Sequence, residues 1–476
     1  VIPLLFIPFI LGLIALFMKG EGRRYVRRKI LISGALLHNI GTVSVLFFRW
    51  PDIFGDYINI DGVGLIFLFL ISSIFTLVAF YSLGYFPLKR KVVEDESGGH
   101  VYVSCMLFFL TAMTLSASTT HIGLLWIAIE ATTLASAPLV YYRQNKRSLE
   151  AAWKYLLICS VGIAIALLGV FFVAASTRGT GAELSLSSLM AHAKELDPDL
   201  LRIGFILVLV GFGTKMGLAP LHNWLPDAHS EAPSPISALL SGTLLNCALL
   251  GILRFYQICI SAGLGGFAGR LLVVFGLISL FVAAVFIFHQ KDYKRLLAYS
   301  SVEHMGIIAV GFGIGADFAS FLHVVGHSLT KTLLFLTAGN ILVLYRTKMV
   351  SEVSGLLKTS APTGIMFLMG SLAIVGLPPF LPFISEFLIL RDGISGGNVI
   401  AMTLYLVFLG VIFVTMSRSV LRMVQGKKKE LIWGELPKMV LVPPMILAMA
   451  VLLAGLYLPR YVSILLENAA RMMNIL

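Results

Sequence analysis

Charge is what this chain has least of. Of its 476 residues only 13% are Asp, Glu, Lys or Arg, while 58% are hydrophobic; soluble domains run near about 25% charged. That composition excludes a soluble globule. Cysteine is scarce as well, with four in all (Cys105, Cys159, Cys247, Cys259) and no C-x-x-C spacing. No disulfide framework, zinc site or iron–sulfur cluster follows from them, and they are expected to be packing residues. Long polar segments are also missing. The longest, from Thr177 to Leu201, holds 25 residues, whereas a domain with its own core needs about 50. Chemistry on a soluble substrate is therefore expected to fall to another polypeptide.

What fills the chain is apolar runs long enough to cross a bilayer as helices, about twenty residues each. They predict an all-α polytopic membrane protein with 14 spans, starting near Val1, Lys29, Gly62, Val101, His121, Ala152, Arg202, Ser234, Arg270, Lys294, Phe318, Thr363, Asn398 and Lys438. The last is expected to end near Leu458. The first run has no basic leader and no small-residue cleavage site behind it, so it reads as a span and not a signal peptide. Beginning at Val1 without Met, the chain is expected to lack its first few residues.

The loops decide the orientation. The net charge is +12, and the loops after odd-numbered spans hold 25 of the 36 Lys and Arg; the opposite loops and the termini hold eight. Such an excess marks the cytoplasmic side and puts both termini outside, in the cell (inner) membrane of a prokaryote. Spread over topogenic loops, these cations give no nucleic-acid face. The basic stretch from Arg418 to Lys438, with Trp433 as an interfacial anchor, reads as topogenic or lipid-facing before it reads as a docking segment. Arg254, near a span end, is expected to snorkel.

Three charges remain where hydrocarbon is expected: Glu130 in LLWIAIEATTL, Lys215 in VGFGTKMGLAP and Lys331 in GHSLTKTLLF. A Lys at mid-bilayer costs on the order of 2.5–3.5 kcal/mol on the insertion scale, so several together mark an ion pathway, most simply a proton relay. Two spans are interrupted nearby. The seventh runs into GLAP (Gly217 to Pro220) and HNWLPDAHSEAPSP, the twelfth into IVGLPPFLPFISEF around Gly376, Pro378, Pro379 and Pro382. Proline removes a backbone donor and clashes one turn back, and broken backbone at membrane depth is tolerated only inside protein or along a wet cavity. The two breaks lie an odd number of spans apart, which predicts an inverted repeat.

Further titratable groups line the second half. His323, His327 and Lys331, spaced i, i+4, i+8, share one helix face. Glu303 and His304 sit in SSVEHMG of the tenth span, and Glu386 follows the second break. Each has a plainer reading. His38, His121 and His289 are expected to be packed, hydrogen-bonded histidines. The His323/His327 pair has no carboxylate or cysteine beside it in sequence, so no metal is assigned. Glu130, Lys215 and Lys331 could be static ion pairs, but beside broken helices a path suits them better. Asp227, His229 and Glu231 read either as a solvated loop or as the mouth of the ion path.

HNWLPDAHSEAPSPISALL (His222 to Leu240), DYKRLLAYSSVEHMG (Asp292 to Gly306) and HSLTKTLLF (His327 to Phe335) together resemble one family. It is that of the antiporter-like proton-translocating membrane subunits of respiratory complex I, Mrp cation/proton antiporters and energy-converting membrane-bound hydrogenases. IEATTLASA (Ile129 to Ala137), LEAAWKY (Leu149 to Tyr155), HSEAPSP and LLAYSSVEHMG resemble its hydrogenase-4 component F branch, found in formate hydrogenlyase-type complexes. The resemblance implies that Glu130 and Lys215 form the coupling pair of a first half-channel. It implies that Lys331, with His323 and His327, forms the connecting set of the second half, and that Glu386 is the exit-side group. Trp224 matches a tryptophan beside the break. Lys154, His222, Asp227, His229, Glu231, Asn246 and Lys294 are support or access positions.

Several relatives carry Lys or His where this chain has Asn246, so the first half lacks a titratable bridge there; water or His304 would have to fill the gap. The sequence ends soon after the fourteenth span, and the long lateral helix of the largest members is not expected. Four segments are implied: helices 1–3 over 1–100, half-channels over 101–260 and 261–421, and a last helix within 422–476. No catalytic redox site is assigned to the chain, and nickel–iron and iron–sulfur centres are expected in partner subunits. Those partners are further antiporter-like and quinone-site-like membrane subunits and a peripheral hydrogenase or redox arm. A complex I-like or Mrp-type role, or a structural membrane anchor, are the alternatives. In intact and permeabilised cells, a cysteine introduced at Lys428 should label only from the cytoplasm and tags on both termini should be reachable only from outside. Labelling of either terminus from inside would overturn the 14-span count.

Overall fold

Helix is the only regular structure in the computed structural model among the residues it describes, 2–47, 55–90, 99–427 and 436–473. Isolated β-bridges tie Ile58 to Thr119, His121 to Ser185 and Asp292 to Met349. The first eight helices are α1 (Ile2–Phe17), α2 (Arg24–Phe47), α3 (Gly62–Arg90), α4 (Gly99–Ser118), α5 (Ile122–Val140), α6 (Lys146–Ser176), α7 (Leu186–Ala191) and α8 (Pro198–Met216). After a break come α9 (Trp224–Glu231), α10 (Ser234–Leu239), α11 (Leu245–Ser261), α12 (Gly265–Ile287), α13 (Tyr293–Gly313) and α14 (Asp317–Tyr345). The rest are α15 (Leu356–Thr359), α16 (Ala361–Ile374), α17 (Leu381–Ser395), α18 (Val399–Val424), α19 (Lys438–Leu456) and α20 (Arg460–Met473).

Eleven of the described helical rods are long and apolar enough to cross a membrane, with Ile2–Phe17 and Ala361–Ile374 as shorter apolar helices. The chain is an all-α polytopic membrane protein. Trp433 and Lys428 lie outside the described residues. The α10–α11 rod is buried throughout its most apolar stretch and α13 nearly so. Outer helices instead turn residues such as Leu157, Val161, Phe281 and Ile400 outward, a continuous apolar exterior that suits lipid and not water. A π-turn over Leu240–Leu244 joins α10 to α11, with the Leu245 N–H reaching the Leu240 carbonyl.

Both proline breaks end the preceding helix in the same way. Gly217 (φ 86°) and Gly376 (φ 71°) sit just past α8 and α16 in the left-handed region, where glycine avoids the Cβ clash. The next N–H folds back, Leu218 to Gly213 O at 2.8 Å and Leu377 to Leu372 O at 3.1 Å, which recovers one helix-end carbonyl at each break. At Gly376 a side chain is doubly barred, because the Glu386 carboxylate occupies the place a Cβ would take.

Two helix pairs pack backbone to backbone through glycine. Gly162 and Gly169 of α6 meet Gly204 and Gly211 of α8; Gly269 and Gly276 of α12 meet Gly306 and Gly313 of α13. Small residues allow this closeness, which is what dispersion requires when lipid offers no hydrophobic drive.

Two expectations need correction. Arg254 does not snorkel: it is 1% exposed and grips Asp61 with both terminal nitrogens at 2.5 and 2.7 Å. Burial pushes the Asp61 carboxyl up, and the guanidinium more than reverses that, holding it below the usual range. The segment 422–476 holds two helices, not one. α20 buries Leu466, Ala469 and Met473, an i, i+3, i+7 pattern readable in the sequence, and Gln257 donates to Met472 O at 3.1 Å to hold it. The polar stretch after α6 carries α7, capped by Ser185.

A Cβ at Gly211 would lie 2.5 Å from both Ala166 N and Gly162 O. Gly211→Val should therefore destabilise the protein by about 1–3 kcal/mol through overpacking, read as a lower unfolding temperature in detergent. Gly266→Ala, with open space around it, should leave that temperature unchanged.

Candidate ion pathway

Burial of the first charges is solved with hydroxyl groups. Glu130 on α5 is half-buried and accepts from Thr133 Oγ1 at 3.2 Å and Ser160 Oγ at 3.0 Å. Lys215, fully buried near the end of α8, donates to Thr133 Oγ1 and to Tyr155 OH at 3.3 Å. The expected pair is thus not a direct ion pair. Thr133 stands between its members, donating to the carboxylate and accepting from the ammonium. Tyr155 is in turn tied to Ser136 at 2.7 Å and lies against Trp224, ring centroids 4.9 Å apart. The Trp224 indole donates to Thr214 O at 2.8 Å. Thr133 continues the helix face of Glu130 one turn on, the signal that would have found it; Tyr155 and Ser160, on α6, had none.

The second group is denser. His304 (α13) and His323 (α14) share a hydrogen bond, Nδ1 to Nε2, of 2.8 Å. His304 Nε2 meets Ile374 O at 2.9 Å, and His323 Nδ1 meets Ser385 Oγ at 2.9 Å. The His327 ring centroid is 5.4 Å from that of His304, and its Nε2 reaches Ser241 O at 3.3 Å beside the π-turn. Lys331 donates to Leu297 O at 3.0 Å and is close enough to interact with the Glu303 carboxylate. Glu303 is 2% exposed, its Oε2 without a hydrogen-bond partner and 4.0 Å from His304 Nε2. The tertiary fold also supplies the carboxylate that sequence neighbours lacked: ligand atoms of His304, His323 and Glu386 all lie within 4.8 Å of one another. His304 Nδ1 and His323 Nε2 are hydrogen-bonded to each other, so a metal held by those two nitrogens would first have to separate them.

Asn246 does not bridge toward Lys215. It donates to Ser328 Oγ at 2.7 Å and Gly242 O at 3.0 Å, next to His327. Among the described residues no direct hydrogen bond joins the first group to the second.

The mouth residues separate into two kinds. Asp227 pairs with Lys154 at 3.2 Å and Arg295 at 2.5 Å; Glu231 pairs with Lys348 at 2.8 Å and Arg143 at 3.9 Å. α9 is thereby fastened to α6, α13 and the segment after α14. His229 is not in a solvated loop: it is fully buried and stacked on Phe335 at 4.8 Å, with both ring nitrogens unpartnered. His222 is buried edge-on against Phe286 and Tyr299, which stack on each other. Lys294, counted among the loop cations, is wholly buried and donates to Ala232 O at 2.6 Å. The histidines read as packing residues differ among themselves. His38 bonds Ser72 and Thr114 at 2.8 Å each, His121 caps α5, and His289 is a surface residue.

Apolar helices thus hold two clusters of Glu, Lys and His side chains beside two helix breaks. Residues 119–417 match the family model described as NADH:quinone oxidoreductase/Mrp antiporter, TM, and the chain belongs to that family. It is 40% identical over 385 residues to a hydrogenase-4 component F homolog of Methylacidiphilum infernorum, covering 78% of this chain and 79% of the relative. It is 31% identical to hydrogenase-4 component B of Escherichia coli, where the match spans 77% of this chain and 55% of the longer relative. Its fold is similar to a chain of an archaeal membrane-bound sulfane sulfur reductase, with a TM-score of 0.87 at 23% identity over 99% and 97% of the two chains.

Because Thr133 is the contact between Glu130 and Lys215, Thr133→Val should slow proton uptake into vesicles by about 10-fold, the factor of one ordinary hydrogen bond. Thr132→Val should be near neutral, since Thr132 bonds only the Ile129 carbonyl.

Proposed function

We propose that this chain is an ion-translocating, antiporter-like subunit of a respiratory oxidoreductase-type membrane complex. The supporting observation is the placement of buried titratable groups against both helix breaks: Lys215 two residues before Gly217, and His304 with Glu386 around Gly376. A purely structural anchor has no use for seven such groups (Glu130, Lys215, His304, His323, His327, Lys331, Glu386), whereas a proton path needs stations that water or short hydrogen bonds can join. Glu130 and Lys215 form the coupling pair of a first half-channel within 101–260. Lys331 and the histidines connect it to a second within 261–421, and Glu386 serves the exit.

The complex is read as a membrane-bound nickel–iron hydrogenase of the formate hydrogenlyase type, a reading supported by the 40% identical relative. In it, other membrane subunits and a peripheral redox arm carry the nickel–iron and iron–sulfur centres. The chain crosses a prokaryotic inner membrane fourteen times as two inverted repeats, each with one break, and both termini face outward. The like-capped breaks and like-packed glycine pairs support the repeat. The 31% identity over 84% of this chain to a Staphylococcus haemolyticus Na(+)/H(+) antiporter subunit A1 supports an Mrp-type role as the alternative. Co-purification of nickel-containing partners, or of membrane subunits alone, decides between the two.

Glu130→Gln and Lys215→Met remove a titrating charge at nearly constant size. Either should abolish proton uptake in vesicles while the complex still assembles, and normal pumping by a variant refutes the role of that residue. Glu386→Lys should keep part of the activity and Glu386→Leu lose it; if leucine pumps as well as glutamate, the exit lies elsewhere.

A further inference from the structure

The contacts around His304 and His323 fix where the protons of both rings sit. Ile374 O can only accept, so His304 Nε2, 2.9 Å away, carries the hydrogen. In a neutral ring His304 Nδ1 is then a lone pair, and the 2.8 Å contact requires His323 Nε2 to be the donor. His323 Nδ1 is left as an acceptor, and Ser385 Oγ–H at 2.9 Å supplies the hydrogen. All three bonds of the row point one way: Ser385 to His323 to His304 to Ile374. The row has an anchor because of the helix break. In an unbroken helix the Ile374 carbonyl would accept from the N–H of residue 378, but Pro378 has none.

Ser385 is the one member able to turn. Its hydroxyl also reaches Pro382 O at 2.8 Å and Leu381 O at 3.4 Å. It can therefore donate to His323, or donate to its own helix and accept from His323.

We propose that His304 and His323 form a polarised two-histidine proton wire, with its resting tautomers set by the freed Ile374 carbonyl and its inversion made possible by Ser385. The proposal rests on the reading of this chain as a proton carrier and adds a direction and a switch to its second half. In one passage Ser385 Oγ takes a proton from an acid on the Glu386 side and passes its own hydrogen to His323 Nδ1. The His323 Nε2–H bond breaks as His304 Nδ1–H forms, and the His304 Nε2 proton leaves for Glu303 Oε2, 4.0 Å away. One proton has entered and one has left, with no change of electrons. The row now points the other way, Ser385 donating to Pro382 O, and a bare His304 Nε2 lone pair faces the Ile374 carbonyl. That repulsion favours the reverse passage, in which Glu303 returns a proton to His304 Nε2, a proton leaves through Ser385 Oγ and the resting tautomers are restored. The reverse passage uses the same bonds.

Two measurements test the wire. Solid-state NMR of ring-15N-histidine protein in bilayers, with His304 and His323 assigned by their glutamine variants, should show both as Nε2–H tautomers. A coupling across the hydrogen bond between His304 Nδ1 and His323 Nε2 should accompany them. An Nδ1–H tautomer on His304 overturns the proposal, whether or not any variant assembles. In vesicles carrying the assembled complex, Ser385→Ala should slow proton uptake by about 10-fold, and Ser385→Thr, which keeps the hydroxyl, should restore it to within about twofold. Wild-type uptake by Ser385→Ala, or failure of threonine to rescue, overturns the role of Ser385. Should Glu130→Gln and Lys215→Met pump normally, the carrier reading fails while the tautomer spectrum stands as a separate result.

Discussion

Inside a bilayer a backbone carbonyl without a donor costs several kcal/mol, because no water replaces the lost partner. Each break leaves carbonyls at a helix end: Ile374 O loses its helical donor because Pro378 has no N–H, while Thr214 O keeps one from Gly217 N at 3.2 Å. Thr214 O receives the Trp224 indole, which places that ring against Tyr155 and so beside Lys215. Ile374 O receives His304, which orients His323 in turn. In each half of the chain, then, a carbonyl at the end of a broken helix positions the side chains beside the buried charge. The breaks are paired with the titratable groups because each makes the other tolerable.

Close packing keeps the breaks from becoming leaks. The glycine seams between α6 and α8 and between α12 and α13 bring backbones too near for any side chain to separate them. One seam carries the helix that ends at Lys215, the other the helix that carries Glu303 and His304. Between the seams runs the fully buried α10–α11 rod, whose π-turn lies where His327 reaches the Ser241 carbonyl, a device often found at functional positions in helices. On the basic side, Asp227 and Glu231 fasten α9 to its surroundings through four cations. The short helix after the first break is held by ion pairs where the longer helices are held by packing.

The all-α polytopic class, the two breaks and the lone intramembrane charges were legible in the sequence, because each follows from local chemistry. An apolar run of given length must be a spanning helix, and proline must break it wherever it falls. The family motifs HNWLPDAHSEAPSPISALL and DYKRLLAYSSVEHMG pointed to the family to which the chain belongs. Where the reading erred, it treated position along the chain as position in space. Arg254 and Lys294 lie near span ends, as loop cations do, yet Asp61 and the Ala232 carbonyl draw them inside. The sequence left His229 open between a solvated loop and the mouth of the ion path; α9 turns it onto Phe335.

What the sequence by itself determined is the class: a multi-helix membrane protein with charges it must have a use for, since composition and hydrophobic length are sums over the chain. What only the tertiary structure decided is how those charges are joined. Thr133 between Glu130 and Lys215, Ser385 beside His323, and Glu386 beside the histidines on α13 and α14 are contacts between helices far apart in sequence. Hydrogen bonds act over about 3 Å, and which side chains come that close is set by how the helices pack, which no local pattern of residues encodes.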